Sequence, residues 1–243
     1  MRAIVCGANG AMGKLLCAAL GDSLAGKVSP ECQDGAVGSF EELRNVNADT
    51  VIDFSHHTAV KSVLSYALAN NLAVVIGTTG HTEAEKALIV EASRKIPVFF
   101  SGNMSLGIAV LCRLAAQAAA AFPEADIEIV EIHHNRKVDA PSGTAHMLFR
   151  AIQSVRPEAT EHCGRSGECK RTRDEIGISS LRMGNVVGIH EVHICTPSQT
   201  LTLRHEAHNR AMFADGAVEA ARFLAGKPAG LYDMNALLAE AQK

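Results

Sequence analysis

The 243-residue chain has no tryptophan, only 4% aromatic residues and almost no charge imbalance, with Lys+Arg 23 against Asp+Glu 26 and a formal charge of −3. Without a basic excess there is no general attraction to polyanions, which argues against non-specific nucleic-acid binding. Long uncharged apolar runs are also missing. The most membrane-like stretch, Leu106 to Phe122, carries Arg113 and Gln117 and falls short of the ~18 or more apolar residues that a spanning helix needs. No apolar run of signal-peptide length follows Met1-Arg2, so a soluble, cytoplasmic protein is expected. Nor do the cysteines form an obvious disulfide framework. The seven, at 6, 17, 32, 112, 163, 169 and 195, are odd in number and mostly sit in apolar runs, which predicts free buried thiols in a reducing compartment.

With 47% of its residues hydrophobic, the chain can bury a large core, and at roughly 100–200 residues per domain it holds one large domain or two small ones. Up to about residue 103, short apolar runs alternate with helical patterns. Strands are expected at Arg2–Cys6, Lys27–Glu31 (weaker), Thr50–Phe54, Leu72–Ile76 and Pro97–Phe100, with helices at Met12–Leu20, His57–Asn70 and Thr82–Lys95. Such alternation predicts a doubly wound, Rossmann-like α/β domain around a parallel sheet. After Asn103 a long helix (Ser105–Phe122) leads to a strand (Asp126–His134) and a helix from near Ser142 to about Ser154. The polar stretch 156–175 reads as a mobile loop. Three strands follow, Ile176–Met183, Val186–Cys195 and Gln199–Glu206, and links as short as Gly184-Asn185 and Pro197-Ser198 imply antiparallel neighbours. A helix at Met212–Leu224 and a tail helix near Met234–Ala241 close the chain. The expected layout is a dinucleotide-binding domain at 1–103, completed by 212–243, and an α+β domain with a mixed or antiparallel sheet at 104–211, serving substrate binding and oligomerisation.

Gly7-Ala8-Asn9-Gly10-Ala11-Met12-Gly13 follows the first strand directly and opens the first helix. In this G-x-x-G-x-x-G spacing the first glycine allows a tight turn, the second admits a pyrophosphate, and the third lets helix and strand pack closely. The phosphates would meet N–H groups at the positive end of the helix dipole. An acid on the ribose belongs about 20 residues further on. Glu31 is the leading candidate and Asp34 the alternative. Neither is followed by a basic residue, and Lys27 reads as a surface lysine, so NADH is expected to serve at least as well as NADPH. Gly77-Thr78-Thr79-Gly80 and Ser101-Gly102-Asn103-Met104 each follow a predicted parallel strand, at the sheet edge where α/β folds bind ligands.

The densest polar constellation is Glu131-Ile132-His133-His134-Asn135-Arg136-Lys137-Val138-Asp139-Ala140-Pro141-Ser142-Gly143-Thr144-Ala145, between a strand end and a helix start. Ser142 can cap that helix, leaving the N–H groups of Gly143 and Thr144 for an anion. His133, His134, Arg136 and Lys137 stand beside it, so the site suits a small, multiply anionic molecule near a group that gives a proton at neutral pH. Adjacent strand histidines face opposite ways, so a zinc pair fits poorly. His162, Cys163 and Cys169 make a weak set, and no metal is expected.

The fifteen-residue motif resembles that of the 4-hydroxy-tetrahydrodipicolinate reductase (dihydrodipicolinate reductase) family. So do the N-terminal glycine loop, Ile76-Gly77-Thr78-Thr79-Gly80, Asn103-Met104-Ser105-x-Gly107, the segment Arg182 to Gly188 and Phe213-Ala214-Asp215-Gly216-Ala217. The resemblance implies an NADH- or NADPH-dependent oxidoreductase of the diaminopimelate route to lysine, acting on a cyclic dicarboxylate and working as a homotetramer built through the second domain's sheet. It implies that Gly7, Ala8, Asn9, Gly10, Ala11 and Met12 hold the pyrophosphate and Glu31 the adenosine ribose. It also implies that Gly77, Thr78 and Thr79, with Ser101, Gly102, Asn103 and Met104, line the nicotinamide side. By the same likeness His133 is the proton donor, Lys137 a second catalytic and substrate-binding residue, and His134, Gly143 and Thr144 substrate contacts, with Ser142 at the helix start. Either His133 or Lys137 serves as the acid. Two departures weaken a 2′-phosphate site: Ala11 and Cys32 stand where the family often has basic residues. A dehydrogenase for another small acid and a non-catalytic dinucleotide sensor are the competing readings.

Overall fold

The computed structural model describes residues 1–44 and 46–240 and divides into two compact units, Met1–Ser105 with Arg210–Lys243, and Leu106–Asn209. The first begins with β1 (Ala3–Cys6), α1 (Ala11–Leu20) and β2 (Leu24–Val28). It continues through β3 (Thr50–Asp53), α2 (Val60–Asn70), β4 (Ala73–Ile76), α3 (Glu83–Ser93) and β5 (Pro97–Phe100). The second unit holds α4 (Leu106–Ala121), β6 (Asp126–His133), α5 (Gly143–Gln153), β7 (Thr160–Cys163), β8 (Glu175–Arg182), β9 (Gly188–Thr196) and β10 (Gln199–Ala207). The chain then returns to the first unit as α6 (Ala211–Leu224), β11 (Gly230–Tyr232) and α7 (Met234–Glu240). Ala241, where the tail helix was expected to end, lies outside the described residues.

All strands of the first sheet are parallel, in the order β11-β5-β4-β3-β1-β2. The inner strands are short and almost wholly apolar: Ile4, Val51, Val74 and Val98 are each 0% exposed. Burying such a side chain contributes about 1.5–3 kcal/mol, which is why these four-residue strands hold without long ladders. In register, Cys6 lies beside Asp53, Asp53 beside Ile76 and Ile76 beside Phe100. The strands therefore end level, and the loops beginning at Gly7, Phe54, Gly77 and Ser101 emerge along one edge. The second strand ends earlier than expected: Ser29 to Glu31 leave the sheet, where Pro30 has no N–H to give to a ladder. Strand β11 has no counterpart in the sequence reading, since Gly-Leu-Tyr is too short to show a period.

The second sheet runs β10-β9-β6-β8-β7, with β7 and β8 parallel to the next strand inward and β9 and β10 antiparallel. One face packs on α4 and α5 through Ile127, Ile129, Ile176, Ile178, Val192, Ile194, Leu148 and Ile152. Arg156 ties the end of α4 to its surroundings by donating to the carbonyls of Ala119 (3.2 Å) and Ala125 (2.9 Å). Three expectations are corrected. First, 156–175 is not one loop: Thr160–Cys163 pairs with β8, and Arg171 pins the following segment to Asp126 and the Ile127 carbonyl. The strand escaped notice because an edge strand carries polar residues. Second, β8 and β9 are not neighbours, since β6 lies between them. Residues 183–187 reach up to about 17 Å when extended, against about 10 Å across one intervening strand. That link is stitched to the end of β6 by Met183 N–H to the His133 carbonyl (2.8 Å) and Asn135 N–H to the Gly184 carbonyl (3.2 Å). Third, the seven cysteines are free, but Cys32, Cys163, Cys169 and Cys195 are exposed rather than buried.

Candidate active site

At the level strand ends of the first unit, Gly7 has φ +79°, and a Cβ there would lie 2.4 Å from the Phe54 carbonyl oxygen. A Cβ on Gly13 would lie 2.0 Å from the Gly7 oxygen, so the third glycine lets α1 sit tight on the turn. Gly10 is the N-cap of α1 with no side-chain cap, and the first turn holds no acid. The tip of this helix thus keeps its electropositive character. Beside it opens a cavity of about 470 Å³ that takes in Gly7, Gly10, Glu31, Phe40, His56 and Ser62. Asn9 fastens the loop to the strand-2 turn, its side chain donating to the Gln33 carbonyl (3.0 Å). The Ser29 hydroxyl donates to Glu31 and holds that carboxyl below its ordinary range. Asp34 and Lys27 do not line the cavity, and the Lys27 ammonium is bound to the Asp34 carbonyl at 2.7 Å.

Further along the same edge, Thr78 is buried and donates to the fully buried Asp53 at 2.8 Å. Burial pushes the Asp53 carboxyl up, while hydrogen bonds from Ser55 and Thr78 work against that rise. Gly77 packs against the Phe54 ring, Met104 is buried, and the Ser101 hydroxyl closes its own loop on the Asn103 carbonyl (2.7 Å). Thr79 and Gly102 are exposed. Sequence reasoning missed Phe40, His56 and Ser62, which become cavity walls only through tertiary packing. Phe40 stacks on Tyr66 at 4.7 Å.

In the second unit, β6 alternates strictly, and Ile127, Ile129, Glu131 and His133 share the helix-covered face. The register sets Glu131 beside Ser180 and His190, and His133 beside Arg182. The aliphatic ladder of the core thereby changes into an ionisable one at the end of the strand, next to the start of α5. Glu131 is 0% exposed. Its Oε2 contacts His133 Nδ1, and its Oε1 accepts from Arg182 (2.7 Å) and from the Ser142 N–H (3.3 Å). Burial alone would raise the Glu131 carboxyl, but bonds from His133 and Arg182 overcome it and bring it down to about 2.

Ser142 caps α5, its hydroxyl accepting from the Ala145 N–H (3.2 Å) and meeting His190 Nε2 (3.2 Å). That side chain is therefore engaged internally, and Gly143, with open space around its Cα, presents the helix tip. His190 is pushed down to about 3 by burial and by the nearby His133. Lys137 pairs with Asp139 at 2.7 Å and holds that carboxyl below its usual range, and its own N–H closes a turn on the His134 carbonyl. The unit thus brings His133, His134, Lys137, Ser142, Gly143 and Thr144 to one end of its sheet. To these it adds Glu131, Arg182 and His190, to which the sequence analysis gave no role because cross-strand register was not visible there. Glu131, His133 and His190 place ligand atoms within 4.8 Å of one another, a set able to hold a cation. Arg182 and the His133–Glu131 bond already engage the carboxylate, so a cation entering there would have to displace both.

A dinucleotide-type parallel sheet joined to a second unit with a buried acid–base cluster beside a helix tip defines an oxidoreductase of two-unit build. Residues 1–104 match the family model described as dihydrodipicolinate reductase, N-terminus, and residues 107–238 match the corresponding C-terminus. The chain is 40% identical over 242 residues to 4-hydroxy-tetrahydrodipicolinate reductase of Alkaliphilus metalliredigens, covering 98% of this chain and 99% of the relative. It is 43% identical over 242 residues to the enzyme of that name from Alkaliphilus oremlandii, covering 98% of each. Among solved structures, a dipicolinate-bound dihydrodipicolinate reductase from Paenisporosarcina sp. TG-14 superimposes with a TM-score of 0.79 at 25% identity, over 97% of this chain and 98% of that one. The chain belongs to the dihydrodipicolinate reductase family.

Proposed function

We infer that this enzyme reduces 4-hydroxy-tetrahydrodipicolinate to tetrahydrodipicolinate, with one NADH or NADPH and one proton consumed and one water released, in the diaminopimelate route to lysine. The observation that carries this reading is the joining of His133 and the N-cap of α5 through one carboxylate, which sets a proton-transfer group beside an anion-gripping helix start. The relatives' names and the dipicolinate seen in the solved relative support the substrate class.

The first unit would hold the dinucleotide, the α1 tip facing the pyrophosphate and Glu31 the adenosine ribose, with Gly77 to Thr79 and Ser101 to Met104 on the nicotinamide side. The bound dinucleotide supplies the hydride. His133 delivers the proton, and Lys137 neutralises charge developing on the ring and on one carboxylate. The amides of Gly143 and Thr144, with His134, grip the other carboxylate, and Ser142 shapes that helix start. The ionised Glu31 favours NADH at least as much as NADPH. A cytoplasmic homotetramer built on the sheet face opposite α4 and α5, which bears Val130, Ile132 and the 42% exposed Leu181, completes the reading.

Oxidation of NAD(P)H, followed with freshly prepared 4-hydroxy-tetrahydrodipicolinate, tests it directly. The wild-type enzyme should turn over, and His133→Gln should lose about 10²–10⁴ in kcat while still quenching NADH fluorescence on binding. Full turnover by His133→Gln would remove the proton-donor role, and no turnover by the wild type would remove the substrate.

A further inference from the structure

We propose that Glu131, anchored by Arg182, is the positioning residue of the site. In this role it fixes the His133 imidazole with Nε2 as the proton-carrying face and locks that ring to the N-cap of the helix that grips the anion. The inference rests on the reading of His133 as proton donor and names the group through which it acts. An ionised carboxylate has no hydrogen to give, so the bond between Glu131 Oε2 and His133 Nδ1 must carry its proton on Nδ1. Neutral His133 is then the Nδ1–H tautomer, and the proton it passes on arrives at and leaves from Nε2.

Gly188 guards that face by its smallness. A Cβ there would lie 3.1 Å from His133 Nε2, and glycine leaves the approach open. The other oxygen of Glu131 is shared by Arg182 Nη2 and the Ser142 N–H, so a single buried anion sets the spacing between the imidazole and the α5 tip. Arg182 is held in turn by the Asp139 carbonyl (2.6 Å), which keeps its guanidinium in place beside a carboxylate that burial alone would protonate.

Further charged and titratable groups stand around Glu131 and His133. Glu131 lies on its own strand, Arg182 at the end of β8, His190 on β9 with its ring 5.1 Å away, and Lys137 with Asp139 in the following loop. His205 on β10 stands beyond His190, opposite it in the ladder. Glu131 and Asp139 are the negative members, and Asp139 is paired with Lys137. Glu131 is therefore the carboxylate in contact with the His133 ring.

Long-range proton–nitrogen NMR of 15N-histidine-labelled enzyme, with the His133 signals assigned by their loss in His133→Gln, reads the tautomer without turnover. The wild type should show neutral His133 with its proton on Nδ1. A neutral wild-type His133 with its proton on Nε2 overturns the proposal, whether or not any variant folds. In Glu131→Gln the amide N–H faces Nδ1, so the neutral ring should switch to the Nε2–H form. The kcat should then fall about 10–100-fold, with KM changed less than about threefold. Glu131→Asp keeps the charge and should restore the Nδ1–H form while remaining slower. A purely structural role would lower both variants alike and leave the tautomer unchanged, and that result also overturns the proposal. If the wild type fails to reduce the dicarboxylate, the functional reading falls, whereas the NMR outcome still decides the role of Glu131.

Discussion

At the scale of single residues, the two sites use carboxylates in opposite ways. Glu131 is buried and held ionised by donors from three directions, whereas Glu31 is exposed and held ionised by one hydroxyl. The action proposed for the exposed one is repulsion. Like charges brought close repel, so Glu31 should discriminate against a 2′-phosphate by several-fold. Neighbouring Cys32 and Gln33 offer no compensating cation, and Lys27 is committed to the Asp34 carbonyl. Steady-state kinetics should therefore show NADH used at least as well as NADPH. Glu31→Ala should swing the ratio of the two kcat/KM values toward NADPH by up to about tenfold. A hundredfold preference of the wild type for NADPH would contradict the assignment.

Among the elements, α5 shows how far the sequence could be read. Ser142 as a cap, Gly143 as the first helical residue and an amphipathic run behind them are local signals, and the helix starts where they place it. The glycine loop was legible for the same reason, since the demands of its turn fall on consecutive residues. What did not show were the meetings between distant residues: Glu131 with His190 and Arg182, β6 lying between β8 and β9, and the polar edge strand β7. Register is a property of pairs, and one strand's alternation does not say which partner lies opposite. The Glu131 cluster was thus half visible, its strand half plain and its cross-strand half hidden. Ser142 belongs to both halves, because its hydroxyl serves the third amide of α5 and His190 at once. Ser142→Ala should cost about 0.5–2 kcal/mol of stability through the lost cap. It should also raise the substrate KM more than it lowers kcat, because the helix tip loosens while His133 keeps its bond to Glu131. Chemical denaturation and initial-rate kinetics on the same preparation check both expectations, and a larger effect on kcat than on KM would detach Ser142 from anion binding.

For the molecule as a whole, burial of histidine dictates how stability responds to acid. His190 is held down to about 3, and burial also lowers His81 in the first unit and His205 in the second. Each folded pKa lies below the ordinary value of 6.5, so the unfolded chain binds protons there that the folded chain refuses. Their contribution is complete above about 6.5 and is lost as pH falls through that value toward the folded pKa. Glu131, lowered from 4.5 to about 2, runs in the same direction but begins only below 4.5. The protein should therefore start to lose stability near pH 6.5, well before its carboxylates titrate, with both units contributing. The excluded proton at the deeply buried His190 steepens the slope by up to about 1.4 kcal/mol per pH unit, and those at His81 and His205 by less. Tm followed from pH 8 to 5 should stay flat above about 7 and fall below 6.5. In His190→Gln, which has no proton to refuse at that position, the fall between 6.5 and 5 should be shallower by the share of one histidine, although the variant starts from a lower Tm. A wild-type Tm that holds constant down to pH 5 would mean that these imidazoles accept protons within the fold, and the neutral His190 beside Ser142 would have to be abandoned.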